Sequence, residues 1–186
     1  MADDTPVDAE PDEAEIVDDV ETDAGPEVEV AYGVPVTRGG GHTVLHATPD
    51  QLLDTAQALR DDGFDQLIDL CGVDYLVHPG RSDLPATVDP QRFEVVVAVL
   101  NHRRRERARI RVQVPEAEPA LPTLFDVWPG CEALERETFD MYGITFIDHP
   151  DMTRILMPED WVGHPLRKDY AVGRIPVQFK GAPTTR

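Results

Sequence analysis

The fold is decided by Arg92-Phe93-Glu94-Val95-Val96-Val97-Ala98-Val99-Leu100, the polar run Asn101 to Arg107, and Ala108-Arg109-Ile110-Arg111-Val112-Gln113-Val114. The first piece is β-branched and almost continuously apolar, as a strand buried on both faces is. The last alternates, with Ile110, Val112 and Val114 to one side and Arg109, Arg111 and Gln113 to the other, so it reads as a strand with one face inward. Asn101 to Arg107 connects them as a hairpin.

Working toward the N-terminus, His78 to Pro90 is a polar, proline-marked loop and Phe64 to Leu76 a further strand, with Leu67, Leu70 and Val73 as core residues. Before it, Thr48 is placed to cap a helix and Pro49 to occupy its first position. Leu52, Leu53, Ala56 and Leu59 recur on one helical face, and Gly63 closes the helix. Val44 to Ala47 is a short strand ahead of that cap, and Gly39-Gly40-Gly41 lacks the strand-turn-helix setting of a dinucleotide loop. Toward the C-terminus, helical periodicity runs from about Leu121 to Met141, interrupted at Pro129, and Gly143 suits the left-handed residue past a helix end. The order β-α-β-β-β-α predicts an α+β domain, a mixed β-sheet with helices packed on one face.

From Ile144 onward, prolines at 150, 158 and 165 forbid a continuous helix and the segment to Tyr170 reads as extended. It carries Phe146, Ile155, Leu156, Trp161, Val162 and Leu166, too much apolar surface to stand in water uncovered. Such an arm either wraps over its own sheet or lies along a neighbouring subunit. The organisation expected is therefore a disordered acidic tail (residues 1 to 30), an α+β domain (31 to 143) and an extended partner-binding arm (144 to 186).

The formal charge is -19, yet residues 1 to 30 hold thirteen acidic and no basic residues, against 23 acidic and 17 basic thereafter. Such a chain is repelled by nucleic acid and by anionic lipid, so any membrane association goes through another protein. Val95 to Leu100, the longest apolar run, is far short of a bilayer span, and the N-terminus lacks a secretory signal pattern, which together point to the cytosol. Two cysteines, Cys71 and Cys131, cannot supply the four thiolates of an iron-sulfur cluster. Asp148, His149, Asp151 and His164 have metal-ligand chemistry but match no zinc spacing. Glu135, Glu137 and Asp140 share a helix with Arg136, and the spacings Glu132 to Arg136 and Arg136 to Asp140 suggest ion pairs instead of acid-base catalysis. The basic run Arg103 to Arg107 reads as a solvated turn or a contact for an acidic partner.

The run Glu135-Arg136-Glu137-Thr138-Phe139-Asp140-Met141-Tyr142-Gly143-Ile144 is followed by His149-Pro150, by Arg154-Ile155-Leu156-Met157-Pro158-Glu159-Asp160-Trp161 and by Gly163-His164-Pro165-Leu166-Arg167-Lys168-Asp169-Tyr170. This resembles the signature of the C-type subunit of bacterial NADH-quinone oxidoreductase, respiratory complex I. One departure is Ala133, where that family usually has an aromatic residue. The resemblance implies a non-catalytic peripheral-arm subunit on the cytoplasmic side of the membrane. It would hold no cofactor, with FMN and iron-sulfur clusters in partner chains. It would pack against the D-type subunit, which forms the quinone site, and close to the B-type subunit, which bears the terminal cluster. The resemblance also implies an interface built from Glu135, Arg136, Glu137, Asp140, His149, Arg154, Pro158, Trp161, Arg167 and Lys168, with Arg154, Arg167 and Lys168 facing acidic groups of the partners and Trp161 as a buried anchor. The same kind of subunit also fits relatives fed by ferredoxin, deazaflavin or formate-hydrogenlyase chemistry. A metal hydrolase on His149 and His164 and a soluble adaptor are readings of a different class.

Overall fold

A computed structural model describes residues 28–171, apart from positions 79 and 82. Nearly all of the acidic tail, and the arm beyond Ala171, lie outside the described residues. The hairpin forms as read: Phe93–Asn101 and Glu106–Val114 pair antiparallel from Phe93↔Val114 to Asn101↔Glu106. Its turn is tighter than the seven residues expected, because Arg105 adopts a positive φ of 57° and the ladder closes two residues earlier. Numbered in chain order, the strands are β1 (Val30–Ala31), β2 (Val34–Gly39), β3 (His42–Ala47), β4 (Gln66–Asp74), β5 (Phe93–Asn101), β6 (Glu106–Val114), β7 (Ala120–Pro122) and β8 (Thr145–Ile147). The helices are α1 (Leu52–Asp61) and α2 (Glu132–Tyr142).

Six strands make one mixed sheet in the order β1-β2-β3-β6-β5-β4, with β3 and β6 parallel and the other neighbours antiparallel. The β1–β2 and β2–β3 hairpins precede the first strand read from the sequence. The glycine loop is the turn of the second hairpin, with Gly40 and Gly41 at φ 61° and 78°. Thr48 caps as expected: its extended backbone breaks the strand and its N–H donates to Gln51 Oε1 at 3.1 Å. The helical face differs in one residue, since Leu53 points to solvent and Thr55 is buried beside Leu52, Ala56 and Leu59.

Both helices cover the face formed by Val95, Val97, Val99, Ala108, Ile110, Val112, Leu45 and Leu70. Fully burying each of the larger side chains stabilises the fold by roughly 1.5–3 kcal/mol. At Gly72 of β4 the sheet meets α2 so closely that a Cβ would lie 2.7 Å from the Tyr142 ring and 3.2 Å from Thr138 Cγ2. Leu67 and Val73, expected in the core, are only partly buried; Leu70 alone of the three is enclosed.

The reading of helix from Leu121 onward is corrected. Ala120–Pro122 is strand β7, paired in parallel with β8, and 123–128 is loop. The Glu135 carboxylate accepts the Leu124 N–H at 2.7 Å, which ties that loop to α2. The Trp128 indole donates to the Phe64 carbonyl at 3.0 Å and locks the same loop over the core. Gly143 ends α2 in the left-handed conformation, φ 73°, as expected. On the opposite sheet face, Glu94 and Gln113 are buried, not solvated as the alternation suggested for Gln113. The 78–90 loop folds over them and brings Arg81 to Glu94 at 2.8 Å and Asp83 to Arg111 at 2.7 Å.

Candidate partner-docking surface

The functional geometry lies where α2 holds the arm that follows it. Two fully enclosed carboxylates on α2 anchor the chain on either side of it, Asp140 the arm and Glu135 the loop before the helix. Asp140 accepts a bond from Arg154 at 2.5 Å and three backbone N–H groups, from Ile155 at 3.1 Å and from Leu156 and Met157 at 2.8 Å. Burial pushes its carboxyl up, but these donors outweigh burial and the group lies below the usual aspartate value. The ion pair expected between Arg136 and Asp140 therefore does not form. Arg136 pairs with Glu132 at 3.1 Å and reaches the Thr153 carbonyl and hydroxyl at 3.1 and 2.9 Å.

Glu135 accepts from Thr123 Oγ1 at 2.5 Å, Leu124 N–H and Cys131 Sγ at 3.2 Å. His149, its side chain fully enclosed, accepts the Asp151 N–H on Nδ1 at 3.0 Å, so Nε2 carries the proton and donates to the Glu132 carbonyl at 3.2 Å. His164 donates from Nδ1 to the Asp140 carbonyl at 3.0 Å. Those two carbonyls are eight residues apart on α2, about 12 Å along its axis, so the two histidines do not converge on one ion. Among the described residues no three metal-ligating side chains do.

The end of the arm is fixed by a group absent from the sequence reading. Asp74, at the end of β4, accepts from Arg92 at 3.0 and 3.2 Å, from the Leu76 N–H at 2.9 Å and from the Lys168 N–H at 2.8 Å. Arg92 also pairs with Asp169 at 2.8 Å. Arg167 donates to the Tyr142 carbonyl at 2.5 Å and lies 5.0 Å over the Phe93 ring. Asp74 and Arg92 lie far upstream of the arm in sequence, so no local pattern marks them.

Of the residues expected at an interface, Glu135 and Asp140 are thus sealed inside this chain. Arg136, His149, Arg154 and Arg167 make bonds within it, Lys168 binds through its backbone, and Pro158 begins the turn that carries Trp161. Trp161 is half-buried and Glu137 is exposed. The arm also leaves apolar side chains at the surface: Ile155 is 41%, Leu156 59%, Val162 87% and Leu166 46% exposed, among exposed Glu159, Asp160, Lys168 and Asp169, with Ile147 of β8 at 53%. Most residues that sequence reasoning put forward as contacts are tied into this chain, while Glu137, the Lys168 side chain and several hydrophobic residues of the arm are exposed.

This arrangement defines a class: an assembly subunit whose domain fixes a segment carrying exposed apolar residues through the buried carboxylates of Asp140 and Asp74. The curated relatives it matches are named as subunits. The chain belongs to the family of the respiratory-chain NADH dehydrogenase 30 Kd subunit, whose model matches residues 45–175. It is 46% identical over 142 residues to the C-type subunit of NADH-quinone oxidoreductase from Roseiflexus castenholzii (strain DSM 13941 / HLO8), covering 75% of each chain. A trypsin-resistant fragment of Nqo5 shares the fold at TM-score 0.57 and 33% identity, over 64% of this chain and 89% of that one. The archaeal membrane-bound sulfane sulfur reductase contains a chain alike at TM-score 0.62 over 82% of this chain and 90% of that one, with 18% identity, a likeness of fold alone. No helix among the described residues is long and apolar enough to cross a membrane.

Proposed function

We propose that this chain is a non-catalytic structural subunit of the peripheral arm of NADH-quinone oxidoreductase, on the cytoplasmic side of the membrane. It holds no cofactor and seats its arm against the D-type, quinone-site subunit and the neighbouring B-type one. Electron transfer from NADH through FMN and iron-sulfur clusters to quinone, coupled to proton translocation, is carried by other chains. The observation that carries this reading is the row Ile155, Leu156, Val162 and Leu166, exposed on a segment fixed from behind by Asp140 and Asp74. An apolar surface that is already ordered loses little conformational entropy on docking, which favours a permanent interface. With two thiols sixty residues apart, one exposed and one buried, the chain does not supply the ligands of a cluster.

The test is affinity capture of the tagged chain from membranes in mild detergent, with mass spectrometry of its partners and an NADH-quinone reductase assay of the eluate. Recovery of the quinone-site and cluster-bearing subunits together with activity supports the proposal. Recovery of the chain alone overturns it. A complex with a ferredoxin- or deazaflavin-linked input chain and no NADH activity keeps the docking role and replaces the donor.

A further inference from the structure

The outer face of the sheet is covered only in part. The 78–90 loop seals the half bearing Glu94, Arg111 and Gln113. Over the other half Val44, Val96, Ala98 and Leu100 stand half-buried on neighbouring strands, and Ile68 is half exposed at the bulge in β4. The rim is basic. Arg107 and Arg109, both exposed, line with His42, Ile68, Asp69 and Ala98 a hollow of about 260 Å³, and Arg103 and Arg105 continue from it into the hairpin turn. Within this hairpin Arg104 is paired with Asp62 and Glu106, and Arg111 with Glu94 and Asp83. Among the described residues Arg103, Arg105, Arg107 and Arg109 have no carboxylate partner.

We propose that this face is the docking site of the chain's own acidic N-terminal segment, Glu13-Ala14-Glu15-Ile16-Val17-Asp18-Asp19-Val20-Glu21-Thr22-Asp23. Its composition matches the patch, with three aliphatic residues for the apolar centre and six carboxylates for the arginine rim. The point from which it arrives lies within reach. Glu29 is forked onto Arg38 at 2.6 and 3.2 Å, so the acidic sequence already meets a guanidinium as it joins the domain. Arg38 lies across β2–β3 from Thr43, and Thr43 across β3–β6 from Ala108, so the entry is level with Arg107 and Arg109 but on the helix-covered side of the sheet, and the segment passes round the sheet margin to reach them. From β2 to β6 is two strand spacings, about 10 Å. The chain from Asp23 to Val28 spans up to about 16 Å when extended. The segment covers the open face in cis, and an acidic partner has to displace it to bind there.

The test uses the full chain with a nitroxide on Ala14→Cys in a Cys71→Ser background; Cys131 is buried and, with burial and Glu135 pushing its thiol up, stays unlabelled. A tethered segment meets its site at an effective concentration of about 1 mM, so backbone amide signals of Val96, Ala98, Leu100 and Arg109 should lose roughly half their intensity relative to the reduced label. Intensity should return in about 1 M salt, where the screening length is near 3 Å. It should also return in the double variant Arg107→Glu/Arg109→Glu, which alters exposed side chains only and keeps the circular dichroism spectrum. Absence of attenuation, or attenuation indifferent to salt and to charge reversal, overturns the proposal. Attenuation only between separately labelled molecules also overturns it, in favour of a second copy as occupant.

Discussion

Replacing Asp140 by alanine probes how the docking arm is held. The change removes the acceptor of one guanidinium and three backbone N–H groups, all within 3.1 Å of a carboxylate with no solvent exposure. Breaking a buried ion pair costs about 3–5 kcal/mol, and each stranded N–H adds roughly 1–3 kcal/mol where water cannot reach it. Arg154 keeps the Gly163 carbonyl at 3.0 Å, and Ile155 and Leu156 lie at the surface, so water recovers part of the loss. The expected cost is then about 3 kcal/mol, a fall in Tm of about 10 °C for a domain near 150 residues. Asp140→Asn keeps one acceptor and should lose about half as much. Thermal unfolding gives the total, and hydrogen exchange gives its location: Ile155, Leu156 and Met157 amides should lose protection while β5 and β6 keep theirs. Unchanged Tm and unchanged protection at those three amides would refute the role assigned to Asp140.

Asp74→Asn should release the arm at its far end, visible as faster exchange of the Lys168 amide with little change at Leu156. Gly72→Ala places a Cβ 2.7 Å from the Tyr142 ring, so it should lower denaturant stability by about 1–3 kcal/mol by pushing α2 off β4. Stability should fall in two stages on acidification. Burial, helped by the Arg167 and Arg154 charges, outweighs the bond to the Asp140 carbonyl and holds His164 below its ordinary value. Its contribution is therefore complete above the unfolded value of about 6.5 and is lost as pH falls through the lower folded value. Asp74 is also depressed, burial being outweighed by Arg92 and the Lys168 N–H, so it and Asp140 give a second loss below about pH 3.9. His164→Gln should shrink the upper stage only, as read from denaturation midpoints across the pH range, because His46, also held low by burial, supplies the rest.

The hairpin was legible because one strand is a near-continuous β-branched run, the other alternates strictly, and each is long enough to show it. The helix after Thr48 was legible because its cap and closing glycine are local signals. β1 and β2 were not, since two- and six-residue strands at a sheet edge carry little periodicity. The stretch from Leu121 mimicked a helix because Leu121, Leu124 and Trp128 recur at helical spacing, but Glu135 claims the Leu124 N–H and β8 claims β7. The resemblance found the right family. What it could not give was direction: Glu135 and Asp140 face inward, and the free apolar side is made by residues that read merely as arm. Nothing in their spacing says which backbone N–H groups will meet those carboxylates.

The most direct measurement is capture of partners by Leu156→Ser/Val162→Ser beside the unaltered chain, from membranes in the same mild detergent. Leu156 and Val162 are 59% and 87% exposed, so the double variant should keep the unaltered Tm. The docking reading expects that folded variant to recover the quinone-site subunit, and with it reductase activity, far below the level of the unaltered chain. Equal recovery of partners and activity by the two chains would contradict the claim that this apolar row is the seat of assembly.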